Sequence, residues 1–230
     1  MQISAKDLGW LKTDTFCQRC FWITRHDRRL PYQTPFAGIF SSIDAYTKGV
    51  VEGYFERHRS FPGWLGGVGS PKRMIKTTLS KFRANVGDSV LTGMPDALFQ
   101  NADGSYGIID YKTARYTGTQ DALMPVYEVQ LNGYAFIAER LGMAPVEGLH
   151  LVYFEPPPRE GSEGVAERHT TMEGFEMPFR PTVHKVRKNL GEVGRLLEKA
   201  ERIYSMEDPP TGREGCEECA RLDELLRIVG

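Results

Sequence analysis

The acids and the lysine with the clearest chemical potential lie in a stretch that is typical of two strands joined by a turn. Val90 to Phe99 and Tyr106 to Tyr111 are runs of strand-forming residues, and the polar and glycine residues between them favour a tight reversal. The sequence therefore predicts a β-hairpin. Its acids are in unusual places: Asp96 follows Gly-Met-Pro where the first run is interrupted, and Asp110 follows the apolar residues Gly-Ile-Ile.

The spacing at the end of this hairpin predicts a metal site. Side chains alternate along a strand, so Asp110 and Lys112 are expected on one side and Tyr111 on the other. Asp96, from the neighbouring strand, could then lie beside Asp110. Two close carboxylates repel each other unless a cation lies between them, and hard divalent ions such as Mg2+ take oxygen ligands of this kind. A lysine beside that ion can hold or help to activate a water near a phosphorus atom.

The segments Gly-Met-Pro-Asp96 and Ile-Ile-Asp110-Tyr-Lys112 resemble the signature of the PD-(D/E)xK nuclease superfamily. An acid-x-lysine triplet alone is expected by chance in a chain with 30 acids among 230 residues, and its alternative interpretation is an exposed pair on an edge strand. The resemblance therefore rests on context, including the apolar lead-in and the upstream Gly-x-x-Asp. It implies one α/β domain over residues 1–230, with a restriction-endonuclease-like core in which helices flank a mixed central sheet.

The resemblance also implies a role for each residue of the hairpin. Asp96, Asp110 and the carbonyl oxygen of Tyr111 would bind Mg2+ or Mn2+. That ion would polarise the scissile phosphate and lower the pKa of a bound water. Lys112 would orient the water and offset the charge that develops on the phosphorus.

A helix is predicted before the hairpin, over residues 36–60. Apolar residues recur there at helical spacing, at Ile39, Ile43, Tyr46, Val50, Tyr54 and Phe55. In RecB-like nucleases such a helix supplies a histidine or an acid to the metal site, a few residues after a glycine. Glu52, after Gly49, is the closest match and is expected among the catalytic and metal-binding residues. Glu56 and His58 are its substitutes, and the alternative is an acid on an exposed helical face.

A second helix is predicted after the hairpin, from Val126 to Leu141, with Gly142 as its end. It carries Gln130 and Tyr134, which are four residues apart and so share a face. In RecB-like nucleases a Gln-x-x-x-Tyr helix lies beside the active site and contacts the substrate strand. Both residues are therefore expected to bind substrate, and residues 90–141 form the expected catalytic unit.

The 4 cysteines form two Cys-x-x-Cys pairs near the two ends of the chain, Cys17 and Cys20 within residues 16–22, and Cys216 and Cys219 within residues 215–220. Two such pairs supply four thiolates for one site and would join the termini. Zinc and a 4Fe-4S cluster both accept four cysteines. The resemblance to RecB-like iron-sulfur nucleases favours 4Fe-4S, although their usual division is one and three, and zinc is the alternative.

Further elements are predicted outside the catalytic unit. Ser4 to Asp7 has the form of a capping box and begins a short helix. Leu149 to Phe154 is typical of a buried strand and Arg168 to Met177 of another. Apolar residues at helical spacing predict one long helix from Thr182 to Tyr204.

Composition constrains location and partners. The formal net charge is −1, so nucleic-acid binding cannot be inferred from net charge and would have to come from local basic patches. One patch contains Lys72, Arg73, Lys76, Lys81 and Arg83, and another contains His184, Lys185, Arg187 and Lys188. The sequence has neither a signal peptide nor an apolar run of membrane length, which predicts a cytoplasmic protein without membrane contact.

The resemblance implies a metal-dependent DNA nuclease, an exonuclease on single-stranded DNA, with DNA as its partner. Helicase-linked and CRISPR-associated relatives make a helicase or a CRISPR-adaptation protein a further expected partner, and DNA repair another expected pathway. One rival function is a nucleic-acid-binding or assembly subunit that needs a partner for activity. The other is a zinc-stapled structural protein whose hairpin acids, Asp96 and Asp110, are surface residues.

Overall fold

The computed structural model describes residues 1–27, 38–116, 122–156 and 162–229. In chain order its strands and helices are β1 (Gln2–Ser4), α1 (Ala5–Gly9), α2 (Gln18–His26), α3 (Gly38–His58), β2 (Pro71–Met74), β3 (Arg83–Val86), β4 (Ser89–Thr92), β5 (Ala97–Asn101), β6 (Tyr106–Lys112), α4 (Met124–Arg140), β7 (Val146–Glu155), α5 (Ser162–His169), β8 (Thr170–Thr171), β9 (Gly174–Phe175), β10 (Arg180–Lys185), α6 (Leu190–Tyr204) and α7 (Glu217–Val229). Short 3-10 turns cover Trp10–Lys12 and Gly63–Leu65.

A mixed five-stranded sheet forms the centre of the fold, in the order β10-β7-β6-β5-β2. Its middle pair, β6 and β7, is parallel, and the other pairs are antiparallel. Helix α4 provides the crossover from β6 to β7, as a parallel pair requires. The expected α/β core, a mixed sheet flanked by helices, is confirmed.

The first run of the hairpin, Val90 to Phe99, is divided at the expected interruption before Asp96. It divides into β4, which belongs to a separate three-stranded sheet in the order β1-β4-β3, and β5, which belongs to the central sheet. The division falls at Gly-Met-Pro-Asp96, because Pro95 has no N–H to donate to a ladder. The hairpin itself is confirmed as β5 and β6, in which Ala97 pairs with Ile109.

Each face of the central sheet has its own apolar core. On one face β6 and β7 contribute Ile108, Leu149 and Leu151, which pack with α1, α4 and α6. On the other face Ile109, Tyr111 and Val152 pack with Val51 of α3. The alternation along β6 therefore directs Asp110 and Lys112 to the α4 face and Tyr111 to the α3 face.

Helix α3 confirms the helix predicted around residues 36–60, although residues 36 and 37 lie outside the described part. The predicted apolar face is wrong in part. The buried residues are Thr47, Val51 and Phe55. By contrast Ile39, Tyr46, Val50 and Tyr54 are 62%, 76%, 44% and 38% exposed. Apolar residues occur on both the buried and the exposed sides of this helix, so their spacing alone does not show which side is buried.

The C-terminal third departs most from expectation. The strand predicted from Arg168 to Met177 is the end of α5 followed by a two-stranded ribbon, β8 and β9. The helix predicted from Thr182 to Tyr204 begins only at Leu190. Before it, β10 pairs with β7 through Arg180 to Lys185, because polar and branched residues alternate there. Asn189 caps α6 by accepting a hydrogen bond from the Glu192 N–H.

Other expected elements are confirmed. The side chain of Ser4 accepts a hydrogen bond from the Asp7 N–H and caps α1. Leu149 to Phe154 lies within the buried strand β7. Helix α4 ends at Arg140, and Gly142 has the positive φ of 83° that favours glycine after a helix.

Candidate active site

Asp96 stands directly before β5 and is held from two sides. Its Oδ2 accepts a hydrogen bond of 2.7 Å from the backbone N–H of Tyr111. Its Oδ1 forms an ion pair of 2.8 Å with Nζ of Lys48. The backbone contact connects the loop after β4 to β6 and fixes this carboxylate beside the end of the hairpin.

Asp110 is the buried acid of the site, with a residue exposure of 3%. Burial raises the pKa of its carboxyl, Lys112 opposes this effect, the charge of Asp96 adds to it, and together they bring the pKa to about 6. Within the described residues, its Oδ2 forms an ion pair with Lys112 but no well-aligned hydrogen bond. Asp96 and Asp110 are thus close enough to repel each other, as the strand alternation predicted.

Lys112 is fixed by three neighbours. Besides its ion pair with Asp110, Nζ donates a hydrogen bond of 3.2 Å to Oε1 of Gln130 and lies 4.2 Å from the centre of the Tyr127 ring. Gln130 in turn donates a 2.6 Å hydrogen bond to Oη of Tyr134. The lysine is consequently aimed by a chain of side chains from α4.

Gln130 and Tyr134 share a face of α4, as predicted, and both are nearly buried, with exposures of 6% and 5%. Burial raises the pKa of the Tyr134 phenol, and the charge of Asp110 raises it further, so this phenol stays neutral. The ring of Tyr134 also closes on the backbone of Gly93, where an added Cβ would lie 2.5 Å from Cε1. The pair therefore links Lys112 to the loop that carries Asp96.

Helix α3 brings an acid and a lysine to the site that the sequence interpretation missed. Nζ of Lys48 lies 2.7 Å from Oδ2 of Asp44, one helical turn earlier, and also pairs with Asp96. Burial lowers the pKa of Lys48, but the two carboxylates outweigh it and raise this pKa above its usual value. The available signal was the acid-lysine spacing of four on the side of the helix next to buried Thr47 and Val51.

Glu52, the helix acid expected in the site, lies one turn beyond Lys48. It is half-buried. Burial raises the pKa of the Tyr111 phenol, and the charges of Asp96, Glu52 and Asp44 add to this effect, which places Glu52 near Tyr111. Glu52 does not line the cavity that contains Asp96 and Asp110, whereas Asp44 does. Its substitutes Glu56 and His58 are exposed, and the ring of His58 contacts Tyr54.

A cavity of about 480 Å³ joins these side chains. Three carboxylates and two lysines contribute to its wall, and its full lining is Lys6, Phe40, Ser41, Asp44, Met94, Asp96, Asp110, Tyr111, Lys112, Thr113, Gln130 and Tyr134. Asp44, Asp96 and Asp110 present carboxylate oxygens, the type of ligand that Mg2+ and Mn2+ take, to one cavity, although these oxygens are less closely grouped than the four cysteine sulfurs. The Oδ2 atom of Asp110 lacks a well-aligned hydrogen bond within the described residues, which leaves it able to accept a ligand.

The four cysteines form a second cluster, where α2 meets the start of α7. The sulfurs of Cys17, Cys20, Cys216 and Cys219 all lie within 4.8 Å of one another. Burial raises the pKa of the Cys17 thiol, but hydrogen bonds from the backbone N–H groups of Arg213 and Cys20 and from neighbouring thiols lower it to about 6. The predicted meeting of the two Cys-x-x-Cys pairs is confirmed, and the cluster could bind a metal.

The sequence matches the family model of the PD-(D/E)XK nuclease superfamily over residues 22–223. The chain therefore belongs to this superfamily, and its mixed central sheet flanked by helices agrees with that.

Solved structures also resemble this chain. One is the crystal structure of SSO0001, with a TM-score of 0.47 and 16% identity, covering 100% of this chain and 85% of that one. Another is an alkaline exonuclease from Laribacter hongkongensis, with a TM-score of 0.48 and 11% identity, covering 99% and 92%. No curated protein matches the sequence. Within the described residues, no helix has the length and hydrophobicity needed to cross a membrane.

Proposed function

We propose that this protein is a metal-dependent deoxyribonuclease that hydrolyses phosphodiester bonds in the cavity between α3, β6 and α4. One observation carries the proposal. The buried Asp110, the carboxylate of Asp96 and a lysine fixed by Gln130 meet at one end of β6. A structural protein with hairpin acids on its surface does not bury an acid against a like charge.

Asp96 and Asp110 would hold Mg2+ or Mn2+, together with Asp44 of α3 and the carbonyl oxygen of Tyr111. When bound, such an ion neutralises phosphate charge and lowers the pKa of a water. Lys112 would orient the attacking water and stabilise the charge that develops on the phosphorus. Asp44 replaces Glu52 in this proposal because Asp44 lines the cavity and pairs with the same lysine as Asp96.

Gln130 and Tyr134 would act on the substrate through Lys112. Both are too buried to offer much surface to a DNA strand, yet Gln130 accepts the hydrogen bond that directs the lysine. The expected substrate contact of this pair therefore becomes a positioning role. Contact with the strand would come from more exposed groups at the cavity.

Single-stranded DNA is the proposed substrate, with cleavage from an end. Phe40 and Met94 line the cavity and are 44% and 53% exposed, so they can offer apolar surface to unstacked bases. The basic residues Lys72, Arg73, Lys76, Lys81 and Arg83 are exposed and can bind phosphates in a salt-dependent manner. An exposed aromatic ring beside a phosphodiesterase site favours a strand whose bases are unpaired.

The test is cleavage of end-labelled single-stranded and double-stranded DNA by the purified protein in Mn2+ or EDTA, with single-stranded RNA as a comparison. We expect cleavage of single-stranded DNA only with Mn2+, and its loss in Lys112→Ala with the fold retained by circular dichroism. Shortening from one end indicates an exonuclease, and internal products indicate an endonuclease. Undiminished cleavage by Lys112→Ala contradicts the proposed site.

A structural metal at the cysteine cluster completes the proposed function. Four sulfurs at about 2.3 Å from one ion in a tetrahedron lie about 3.8 Å apart. Sulfur separations of 3.5 and 3.6 Å in this cluster are near that value. In a 4Fe-4S cluster each cysteine binds a different iron, which spreads the sulfurs further apart. The spacing thus favours zinc over the expected iron-sulfur cluster, and metal analysis with a visible spectrum of anaerobically purified protein distinguishes them.

A protein partner is the second proposal, because α3 has an apolar face that no described residue covers. Ile39, Tyr46 and Val50 are 62%, 76% and 44% exposed. A helicase or CRISPR-adaptation subunit seated there would make activity depend on the complex. Sedimentation of the protein with such a candidate, using Tyr46→Glu as the control, tests this; binding without metal-dependent cleavage would favour the assembly role over the enzyme.

A further inference from the structure

Lys48 bridges two of the carboxylates of the proposed metal site. One ammonium group lies 2.7 Å from Oδ2 of Asp44 and 2.8 Å from Oδ1 of Asp96. Its side chain is only 28% exposed, and that of Asp96 only 14%. Two of the carboxylates that fit a divalent ion are therefore already bridged by a cation that belongs to the chain.

The charges around the cavity determine how this bridge affects the binding of a divalent ion. Asp44, Asp96 and Asp110 are offset by two lysines that line the cavity, Lys6 and Lys112. Lys48 lies outside this lining and adds a third positive charge through its ion pairs with Asp44 and Asp96. Lys112 contacts the carboxylate of Asp110 and the amide oxygen of Gln130, whereas Lys48 contacts the carboxylates of Asp44 and Asp96. A divalent ion that enters between Asp44 and Asp96 must displace the Lys48 ammonium, because both cations need the same oxygens.

We propose that Lys48 is a built-in counterion of the metal site, which competes with the divalent ion for Asp44 and Asp96 and transfers to a substrate phosphate when the ion binds. This inference rests on the proposed nuclease function. The lysine stem is flexible and its ammonium is a compact point charge, so it can exchange one anion for another. A displaced ammonium needs a new anion in a partly buried cavity, and the DNA phosphate is the anion that the reaction brings.

The exchange couples metal binding to DNA binding. Without DNA, the ion has to separate Lys48 from two carboxylates; with DNA, the phosphate receives the lysine. DNA should therefore increase the affinity for Mn2+, and Mn2+ should increase the affinity for DNA by the same factor. Such a device keeps the ion weakly bound until a substrate strand is present.

The test is Mn2+ affinity, measured by isothermal titration calorimetry and electron paramagnetic resonance on the full chain with its cysteine-bound metal retained. Titrations are made with and without a phosphorothioate oligonucleotide that resists cleavage. We expect Lys48→Gln to bind Mn2+ about tenfold more tightly without DNA and to lose most of the DNA effect, a size typical of coupled sites. Cleavage should nevertheless be slower, because the phosphate loses its lysine.

Lys12→Gln is the matched control. Lys12 also bridges two acids, Glu128 at 3.4 Å and Glu192 at 3.1 Å, and its side chain is 33% exposed. Neither of these two acids lines the cavity, unlike Asp44 and Asp96, which Lys48 bridges. Lys12→Gln should keep the Mn2+ affinity and the DNA effect of the wild type, which separates loss of a bridging lysine in general from loss of this one.

The outcomes separate this inference from the proposed function. If the wild type binds Mn2+ and cleaves DNA, but Lys48→Gln and Lys48→Met bind Mn2+ as weakly as the wild type or more weakly, the exchange is wrong and the nuclease assignment stands. Weaker binding together with slower cleavage would make Lys48 a purely structural residue. The proposed function predicts that the wild type cleaves DNA and binds Mn2+, and that Asp110→Asn loses this binding. If the wild type shows neither cleavage nor such Mn2+ binding, the proposed function fails and the exchange fails with it.

Discussion

Lys112 is useful only if its ammonium is held in place, and the side chains around it show how this is achieved. Gln130 accepts its hydrogen bond, Tyr134 accepts one from Gln130, and Tyr127 lies beneath the charge. Each of these residues comes from α4. A helix that is rigid and buried on most of its surface thereby sets the direction of the lysine on the neighbouring strand.

We expect Gln130→Leu to slow single-turnover cleavage by about ten- to a hundredfold, because Lys112 loses the acceptor that directs it. DNA binding, measured by fluorescence anisotropy in Ca2+, should change little. If Gln130 acts on the strand itself, DNA affinity falls and the cleavage rate at saturating DNA is unchanged.

His150 is a buried base on β7, paired with Ile109 and outside the lining of the cavity, with an exposure of 3%. Burial, together with the charge of Lys185, lowers the pKa of its imidazole to about 4. The folded protein holds the ring neutral, whereas the unfolded chain binds a proton below about pH 6.5. The free energy of unfolding should therefore fall as the pH decreases from about 6.5 to about 4, by up to about 3 kcal/mol from this residue.

Urea denaturation at pH 7.5 and pH 4.5 measures this effect. His150→Leu should lose less stability between the two pH values than the wild type, since it has no proton to bind on unfolding. Equal losses in the two proteins would show that the ring can be protonated in the folded state.

At this scale the positions of side chains on a strand were easier to predict than those on a helix. Asp110 and Lys112 lie on one face of β6 as expected, because alternation along a strand settles which side chains share a face. Asp44 and Lys48 were missed because helical spacing alone does not say which turn of α3 lies against the hairpin. The resemblance favoured Glu52, but the turn that reaches the cavity is the one that contains Asp44.

Among the elements, α4 packs closely against α1 and the loop after β4. A Cβ added to Gly133 would lie 2.7 Å from Cβ of Ala5 in α1, and one added to Gly9 would lie 2.5 Å from the Val126 carbonyl oxygen. Small residues thus allow α1 and α4 to approach closely. Gly93 plays the same part between the loop after β4 and the ring of Tyr134.

We expect Gly93→Ala to destabilise the protein by about 1–3 kcal/mol, because the buried Tyr134 ring cannot move away from the added methyl group. Cleavage should slow as well, since Tyr134 supports Gln130. Thermal denaturation and the cleavage assay measure the two effects. Gly194→Ala is the control: nothing lies within 4 Å of its added Cβ in α6, so it should stabilise the helix by about 0.5–1 kcal/mol. A Gly93→Ala protein as stable as the wild type would contradict the close approach.

The order of elements was predictable where hydrophobic spacing had one interpretation. Helix α4 and strand β7 are examples, since their apolar residues are nearly all buried. The segment from Thr182 to Lys185 was assigned to a helix because Val183 and Val186 fit a helical face with Leu190. It forms the edge strand β10 because it pairs with β7. That pairing joins residues far apart in the sequence, so the spacing of nearby apolar residues could not predict it.

On the scale of the whole molecule, the cysteine cluster joins the two ends of the chain. Cys17 and Cys219 are 3.6 Å apart across 202 residues, and Arg19 pairs with Asp223 at 2.9 Å beside them. A metal that closes so long a loop removes much of the freedom of the unfolded chain. The pairing of the cysteines was predictable from their spacing, whereas the identity of the ion depends on distances between sulfurs that only the folded chain provides.

We expect Cys216→Ser to lose the bound metal, to unfold at a lower temperature and to expose the C-terminal helix α7 to limited proteolysis. Metal analysis, calorimetry and mass spectrometry of the fragments measure these changes. Asp223→Asn removes only an exposed ion pair, which contributes little, and should keep its metal. If Cys216→Ser keeps the metal content and protease resistance of the wild type, the cluster does not hold the termini together.

Manganese-dependent cleavage by Asp110→Asn is the measurement that most directly separates a working nuclease site from an inert one. The substitution keeps the size of the buried side chain and removes the charge that would hold the ion. We expect single-turnover cleavage of single-stranded DNA to fall by at least about a hundredfold, with the thermal stability and cysteine-bound metal of the wild type retained. Cleavage by this folded variant at the wild-type rate would contradict a catalytic role for the cavity.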